Sequence, residues 1–199
     1  ESAGRKFIDV GANIGTETVY AMLSGHFSGA VSIEPEPHNF SLLSENIAAN
    51  GLGSRVQAVN CAAGAKAGTA VLARSESNKG GHALSVDAGG ADRIAVEVLP
   101  VDSILANLGI EASEAGLVWI DVNGTEQDVL SGMTSLLRHK VPVVLEHLPT
   151  FITADQARSI HRLLAAHYRH YCRVDAVDRE PADVVRMDPL KDTGDFLFF

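Results

Sequence analysis

The 199-residue chain is predicted to be an α/β fold built on a mostly parallel sheet with helices on both faces, on three observations. Short apolar runs alternate with stretches of helical period, the sequence mark of β-α-β units. A turn with glycines at Gly11 and Gly15 follows the first apolar run, and the acid Glu34 closes the second. With 46% apolar and 21% charged residues the chain can bury a core, and its length suits a single domain spanning residues 1–199. The first strand begins only a few residues in, so a further N-terminal segment is expected to precede Glu1 in the natural protein.

Lys6 to Val10 reads as strand one, and Thr16 to Ser24 as a helix with Val19, Met22 and Leu23 on one face, closed by Gly25. Ala30 to Ile33 is strand two. Pro37 suits a first helical turn, Phe40, Leu43 and Ile47 share a face, and Asn50-Gly51 supplies the stop. Strand three is Val56 to Val59. Thr69 to Ala73 and Ile94 to Leu99 then flank a polar, glycine-rich loop and are expected to form an inserted hairpin. Leu117 to Val122 resumes the alternation as a strand. One helix from Thr125 follows, carrying Val129, Met133, Leu136 and Leu137 inward. Val143 to Glu146 is the next strand. Thr153 and Gln156 have capping-box spacing and open a helix that turns Ile160, Leu163 and Leu164 inward. Tyr171 to Val174 and Phe196 to Phe199 supply the last two strands.

A formal charge of −9, without a Lys/Arg cluster, argues against a nucleic-acid partner. Arg158, Arg162, Arg169 and Arg173 alternate with apolar residues, as on a solvated helix face. Cys61 and Cys172 are too few for a disulfide framework, which makes a reducing, cytoplasmic setting the expectation. No apolar run reaches the roughly 20 residues a membrane span needs. His161, His167 and His170 lack an acid at ligand spacing, so no metal is expected.

The segment Asp9-Val10-Gly11-Ala12-Asn13-Ile14-Gly15 stands where a buried strand turns into a helix, the place where open α/β sheets bind ligands. Gly11 and Gly15 permit backbone conformations that a Cβ would block and bring the main chain close to a ligand. The helix start offers unpaired N–H groups to a carboxylate. Glu34, followed by Pro35-Glu36-Pro37, is held at the sheet edge, where it can accept two ribose hydroxyls. A dinucleotide site would carry G-x-G-x-x-G; here Asn13 occupies the second glycine's position and Thr16 follows Gly15. S-adenosylmethionine has a ribose and an amino-acid carboxylate but no phosphate, and it fits this pattern better than a dinucleotide does.

With these residues in view, the chain resembles the FkbM family of S-adenosylmethionine-dependent methyltransferases. Four stretches carry the likeness: Phe7 to Gly15; Ile33 to Pro37 with Asn46 downstream; Val101-Asp102-Ser103-Ile104-Leu105; and Ile120 to Glu126 with Val129-Leu130-Ser131-Gly132. The last departs from the family's Lys-Ile-Asp-Val-Glu-Gly-Ala-Glu at Trp119, Asn123 and Thr125, and keeps Asp121, Gly124 and Glu126. The resemblance implies a seven-stranded class I methyltransferase sheet with its final strand antiparallel, and O-methylation of a small-molecule or sugar hydroxyl. It also implies that Asp9, Gly11, Asn13 and Gly15 line the methionine end of the cofactor, with Ala12 and Thr16 beside them. Glu34 and Pro35 would meet the ribose, and Asn60, Cys61 and Ala62 the adenine. A turn-forming role for Asn60 stays open beside the adenine contact.

A hydroxyl acceptor benefits from a base, and the acids and bases at strand ends are Asp121, Glu146 and His147. Asp121 is favoured for the acceptor side, close enough to count among the cofactor contacts, although fixing the Asn123-Gly124 turn would also account for it. In the polar loop after Thr69 to Ala73, Asn78, Lys79 and His82 are candidate substrate contacts. Two other readings remain: a non-catalytic S-adenosylmethionine-binding domain, suggested by Trp119 and Asn123, and a nucleotide-dependent oxidoreductase, disfavoured by the missing glycine.

Overall fold

The computed structural model describes residues 5–73, 83–84, 93–176 and 180–199. Strand β1 (Lys6–Val10) leads into α1 (Thr16–Leu23), β2 (Gly29–Ile33), α2 (Pro37–Ala49) and β3 (Val56–Val59). After β4 (Ala62–Ala63), β5 (Gly68–Ala73), β6 (Ala83–Leu84) and β7 (Arg93–Leu99) come α3 (Val101–Asn107), β8 (Ala115–Ile120), α4 (Glu126–Ser131) and α5 (Thr134–Arg138). The chain closes with β9 (Val143–His147), α6 (Ala154–His167), β10 (His170–Arg173), β11 (Ala182–Asp183) and β12 (Gly194–Phe198).

Among the described residues the main sheet runs β11-β10-β12-β9-β8-β1-β2-β3. Strands β9, β8, β1, β2 and β3 are parallel, while β12 is antiparallel to β9 and β10 antiparallel to β12. The final strand is therefore reversed, as expected, but the sheet has eight strands rather than seven. The extra one is β11, whose two residues pair only with His170 and Tyr171 and carry no sequence period.

Both faces of the sheet are covered, so its strands are apolar almost throughout. On β1, Ile8 and Val10 face one core with Val118, Ile120, Leu130, Leu136 and Ile160. Phe7 faces the other, with Met22 of α1, Leu43 and Ile47 of α2 and the edge of Trp119. At roughly 25 cal/mol per Å2 of apolar surface, these two cores are the main stabilising term.

The hairpin expected after strand three is present, and β5 pairs antiparallel with β7 from Gly68↔Val98 to Ala73↔Arg93. Among the described residues it belongs to a separate four-stranded sheet, β4-β7-β5-β6, in which Ala62–Ala63 pairs in parallel with β7. The single helix expected from Thr125 is two. Gly132 lies so close to the Gly64 carbonyl that a Cβ there would collide with it, and Met133 leaves helical geometry at φ −123°. Asp102 restarts the chain as α5: its carboxylate accepts from the Ser135 amide at 2.9 Å and the Thr134 hydroxyl at 3.1 Å. At α6 the predicted box is complete, with Thr153 and Gln156 each accepting the other's backbone N–H. No helix among the described residues is long and apolar enough to cross a membrane.

Candidate functional site

The turn after β1 is built on left-handed backbone. Gly11 (φ +85°), Asn13 (+50°) and Gly15 (+88°) all adopt it, two as glycine and one as asparagine, the non-glycine residue that tolerates it best. A Cβ on Gly11 would strike the Asp121 carbonyl oxygen, so the ends of β1 and β8 meet backbone to backbone. The amides of Gly11 and Ala12 both donate to the Ile33 carbonyl at 3.0 Å, and Asn46 donates its side-chain N–H to the Ile14 carbonyl at 2.8 Å. The turn is thereby tied to both β2 and α2.

Glu34 closes the site from β2. Its Oε2 accepts from the Asn13 amide and its Oε1 from the Glu36 amide, both at 2.8 Å, and the residue is 5% exposed. Burial raises the carboxyl to about 7, against the two amide hydrogen bonds that favour its ionised form. Each oxygen keeps a further lone pair for an incoming hydroxyl. Asn60 pins the same corner, donating to the carbonyls of Glu34 at 2.8 Å and Pro35 at 3.2 Å.

Val10, Gly11, Asn13, Ile33, Glu34, Pro35, Asn39, Ala62, Ala63, Leu72, Asp121, Val122, Asn123 and Thr125 line one cleft of about 640 Å3, open in part to solvent. Of the residues expected to bind cofactor, Gly11, Asn13, Glu34, Pro35, Ala62 and Asp121 are on its wall. Asn39, Leu72 and Thr125 were not foreseen. Leu72 comes from the hairpin sheet, and nothing in the sequence near it announces a contact with β1 and β2.

The remaining residues expected to bind cofactor do not line the cleft. Asp9 is buried between the sheet and α1, where Thr18 donates to its Oδ2 and Ser32 lies 2.7 Å from the Thr18 hydroxyl. Burial lifts its carboxyl to about 7. It holds α1 against the turn and presents no side chain to the cleft. Ala12 and Gly15 are buried beneath the turn and Thr16 opens α1 on the outer side. Cys61 is buried in the core, with its thiol raised to about 11, so only its backbone is available. Asn78, Lys79 and His82 lie outside the described residues.

At the ends of the neighbouring strands, Ile120 pairs with Leu145 and Glu146 with Asp195, which sets Asp121, Glu146 and Asp195 in a row across the ends of β8, β9 and β12. Asp121 and Glu146 lie close enough for each to act on the other's ionisation. Burial, then the charges of Asp121 and Asp195, raise Glu146 to about 7. His147 corrects the expectation that it is a base candidate. Consecutive strand residues face opposite sides, and its ring is buried with Nε2 3.0 Å from the Pro189 carbonyl. Burial lowers its pKa, so it stays neutral and turned away from Glu146. Trp119, where the family carries lysine, packs in the α1/α2 core, whereas Asn123 reaches the cleft. No group of three or more His, Cys, Asp or Glu among the described residues could hold a metal ion.

Comparison with known proteins agrees with this architecture. "Methyltransferase sdnD" of Sordaria araneosa is 28% identical over 155 residues, 63% of this chain and 59% of that protein. The crystal structure of Methyltransferase FkbM from Methylobacillus flagellatus superposes with a TM-score of 0.62 at 18% identity, over 100% of this chain and 44% of that one. An O-methyltransferase from Bacillus cereus in complex with SAH gives 0.53 at 14% identity, covering 99% and 74% of the two chains. The m1A22 tRNA methyltransferase TrmK of B. subtilis gives 0.51 at 16%, covering 99% and 59%. The chain thus spans less than two thirds of the first two relatives, and the structural likenesses show the fold. The family model described as "Methyltransferase FkbM domain" matches residues 9–171, and the chain belongs to that family.

Proposed function

We propose that the chain binds S-adenosylmethionine across the ends of β1 and β2 and transfers its methyl group to a hydroxyl of a small molecule or sugar. The observation that carries this reading is Glu34, a buried carboxylate oriented by two backbone amides on the wall of a cleft whose floor is the Gly11 turn. The residues fit the cofactor: Glu34 has lone pairs for two ribose hydroxyls, and the bare backbone at Gly11 admits close approach. Asn13, Pro35 and Ala62 complete the wall. A pyrophosphate has no comparable match, since no second glycine opens the turn at Asn13.

When bound, the cofactor supplies a methyl group already activated by its sulfonium. The protein's part is to align the acceptor, exclude water and take a proton. Glu146, raised to about 7, is the base we assign, because a base titrating near the working pH combines availability with driving force. Asp121 sits beside it and tunes it. An RNA acceptor is disfavoured by the carboxylates around this cleft and the net charge of −9. A cytoplasmic setting accords with two free cysteines.

Calorimetry with S-adenosylmethionine and its demethylated product tests binding, and release of labelled methyl to a panel of hydroxyl acceptors tests turnover. Micromolar binding with transfer is expected. Binding without transfer to any hydroxyl would reduce the chain to a cofactor-binding domain.

A further inference from the structure

A second cavity adjoins the cofactor cleft. Ala63 of β4 and Thr125, the residue before α4, stand on the walls of both, so the two meet at the end of β4 and the start of α4. The second is the larger, about 1190 Å3 against about 640 Å3, each open in part to solvent. It lies along the hairpin sheet. Strand β5 pairs with β7 from Gly68 to Ala73 but with β6 only at Leu72 and Ala73, which leaves 68–71 as an edge among the described residues. All four of those edge residues line the cavity.

The apolar part of the wall is Ala63, Ala65, Ala70, Val71 and Val98. Its charged residues, Lys66 and Asp128, are both exposed, so their charges stay in water at the rim. Among the described residues the wall has two other polar side chains, the hydroxyls of Thr69 and Thr125. Thr125 stands at the N-terminus of α4, yet its hydroxyl makes no capping bond to the helix and is free to meet a ligand where the two cavities join. A sugar buried here loses water from several hydroxyls and finds few side-chain partners, which is costly. A hydrocarbon ring system has no such loss and is drawn in by the apolar wall.

We propose that this second cavity seats the acceptor, and that the acceptor is an alcohol with a hydrocarbon ring body rather than a free sugar. The body lies against Ala65, Ala70, Val71 and Val98. Its hydroxyl passes Ala63 and Thr125 into the cofactor cleft, on whose wall Asp121 stands. The hairpin sheet then does two things: Ala62, Ala63 and Leu72 close the cofactor cleft, while the edge of β5 receives the acceptor. A polyol of the same size meets an apolar wall that cannot answer its hydroxyls, and is discriminated against. This inference rests on the methyl-transfer reading above.

The test uses the whole chain saturated with S-adenosylhomocysteine, and two alcohols of similar size as probes: decahydro-2-naphthol and methyl glucoside. Ligand-observed NMR is expected to show decahydro-2-naphthol binding about tenfold or more tighter. Val71→Asp and Ala65→Asp each put a charge into the apolar wall, and the preference is expected to fall below roughly threefold in each. Neither residue lines the cofactor cleft, so S-adenosylhomocysteine affinity is expected to stay within about threefold, which also shows that the variants fold. Methyl glucoside binding as tightly, no binding of decahydro-2-naphthol, or a preference that survives in either variant that still binds S-adenosylhomocysteine overturns the acceptor cavity and leaves methyl transfer standing. Failure of S-adenosylhomocysteine to bind the parent chain overturns both.

Discussion

The amide of Asn13 donates to Oε2 of Glu34 at 2.8 Å, joining the glycine turn of β1 to the acid that ends β2. The two halves of the proposed cofactor site are therefore one unit, and a change in either is felt by the other. Glu34→Ala is expected to weaken S-adenosylmethionine binding by roughly 1–3 kcal/mol through loss of charge-assisted hydrogen bonds. It also leaves the Asn13 and Glu36 amides without their acceptor. Calorimetry on the variant gives the answer, and an unchanged affinity would remove Glu34 from the site.

The same carboxyl sets a pH dependence. Burial holds Glu34 at about 7 without ligand, and hydroxyl donors favour its ionised form, so binding lowers its pKa. Binding is then at full strength above about pH 7 and weakens below it, by up to roughly tenfold per unit, until the pKa of the complex is reached. Titrations between about pH 5.5 and 8.5 that gave a flat affinity would rule this out.

Gly11→Val is expected to abolish cofactor binding and to cost at least about 2 kcal/mol of stability. Left-handed backbone alone costs a non-glycine residue roughly 1–2 kcal/mol, and the new Cβ must displace the Asp121 carbonyl. Gly25→Ala, where φ is +75° and a Cβ meets nothing within 4 Å, carries the strain without the collision. Thermal melts and calorimetry on the two variants separate the effects: Gly25→Ala is destabilised and binds, whereas Gly11→Val does not bind.

Asp9→Asn tests the buried carboxyl that braces α1. Its folded pKa, about 7, lies above the ordinary 3.8 because of burial, so the folded state binds the proton more tightly than the unfolded chain. The resulting penalty is absent below about pH 4, grows as pH rises towards 7 and is constant above. Asparagine can still accept from Thr18 and carries no charge. The fall of stability with pH over this window is therefore expected to be shallower in the variant by up to about 1.4 kcal/mol per pH unit. Urea melts at a series of pH values measure the slope, and an identical slope in both proteins would contradict a buried, titrating Asp9.

What could be read in advance followed the range of the interactions. Lys6–Val10 and Val56–Val59 were bounded correctly because strand-length apolar runs end at turn residues, and Thr153 with Gln156 because a capping box is a four-residue device. Gly11 and Glu34 were legible because each does its work through its own backbone position. Ala62–Ala63 was invisible: two alanines have no period, and their partner is 36 residues away at Val98. The break at Gly132 depends on the Gly64 carbonyl, and the placement of His147 on Pro189, contacts that no local pattern encodes. Leu72 was missed for the same reason, being placed by the packing of separate elements.

Glu146→Gln is the sharpest test of the proposed chemistry. If Glu146 takes the acceptor proton, glutamine lowers kcat by roughly 10²–10⁴ while leaving cofactor affinity within about threefold, because Glu146 is not on the cofactor wall. In the parent protein kcat/KM for the acceptor is expected to rise with pH through about 7 as Glu146 ionises. Burial is the largest cause of that raised pKa and the charge of Asp121 the next, so Asp121→Asn removes a like charge and moves the rising limb to lower pH. Single-turnover rates against pH for all three proteins check this, since they exclude product release. A limb that stays in place in Asp121→Asn, or a Glu146→Gln variant that turns over normally, assigns the proton to another group and leaves Glu146 as one more carboxylate of the acidic row.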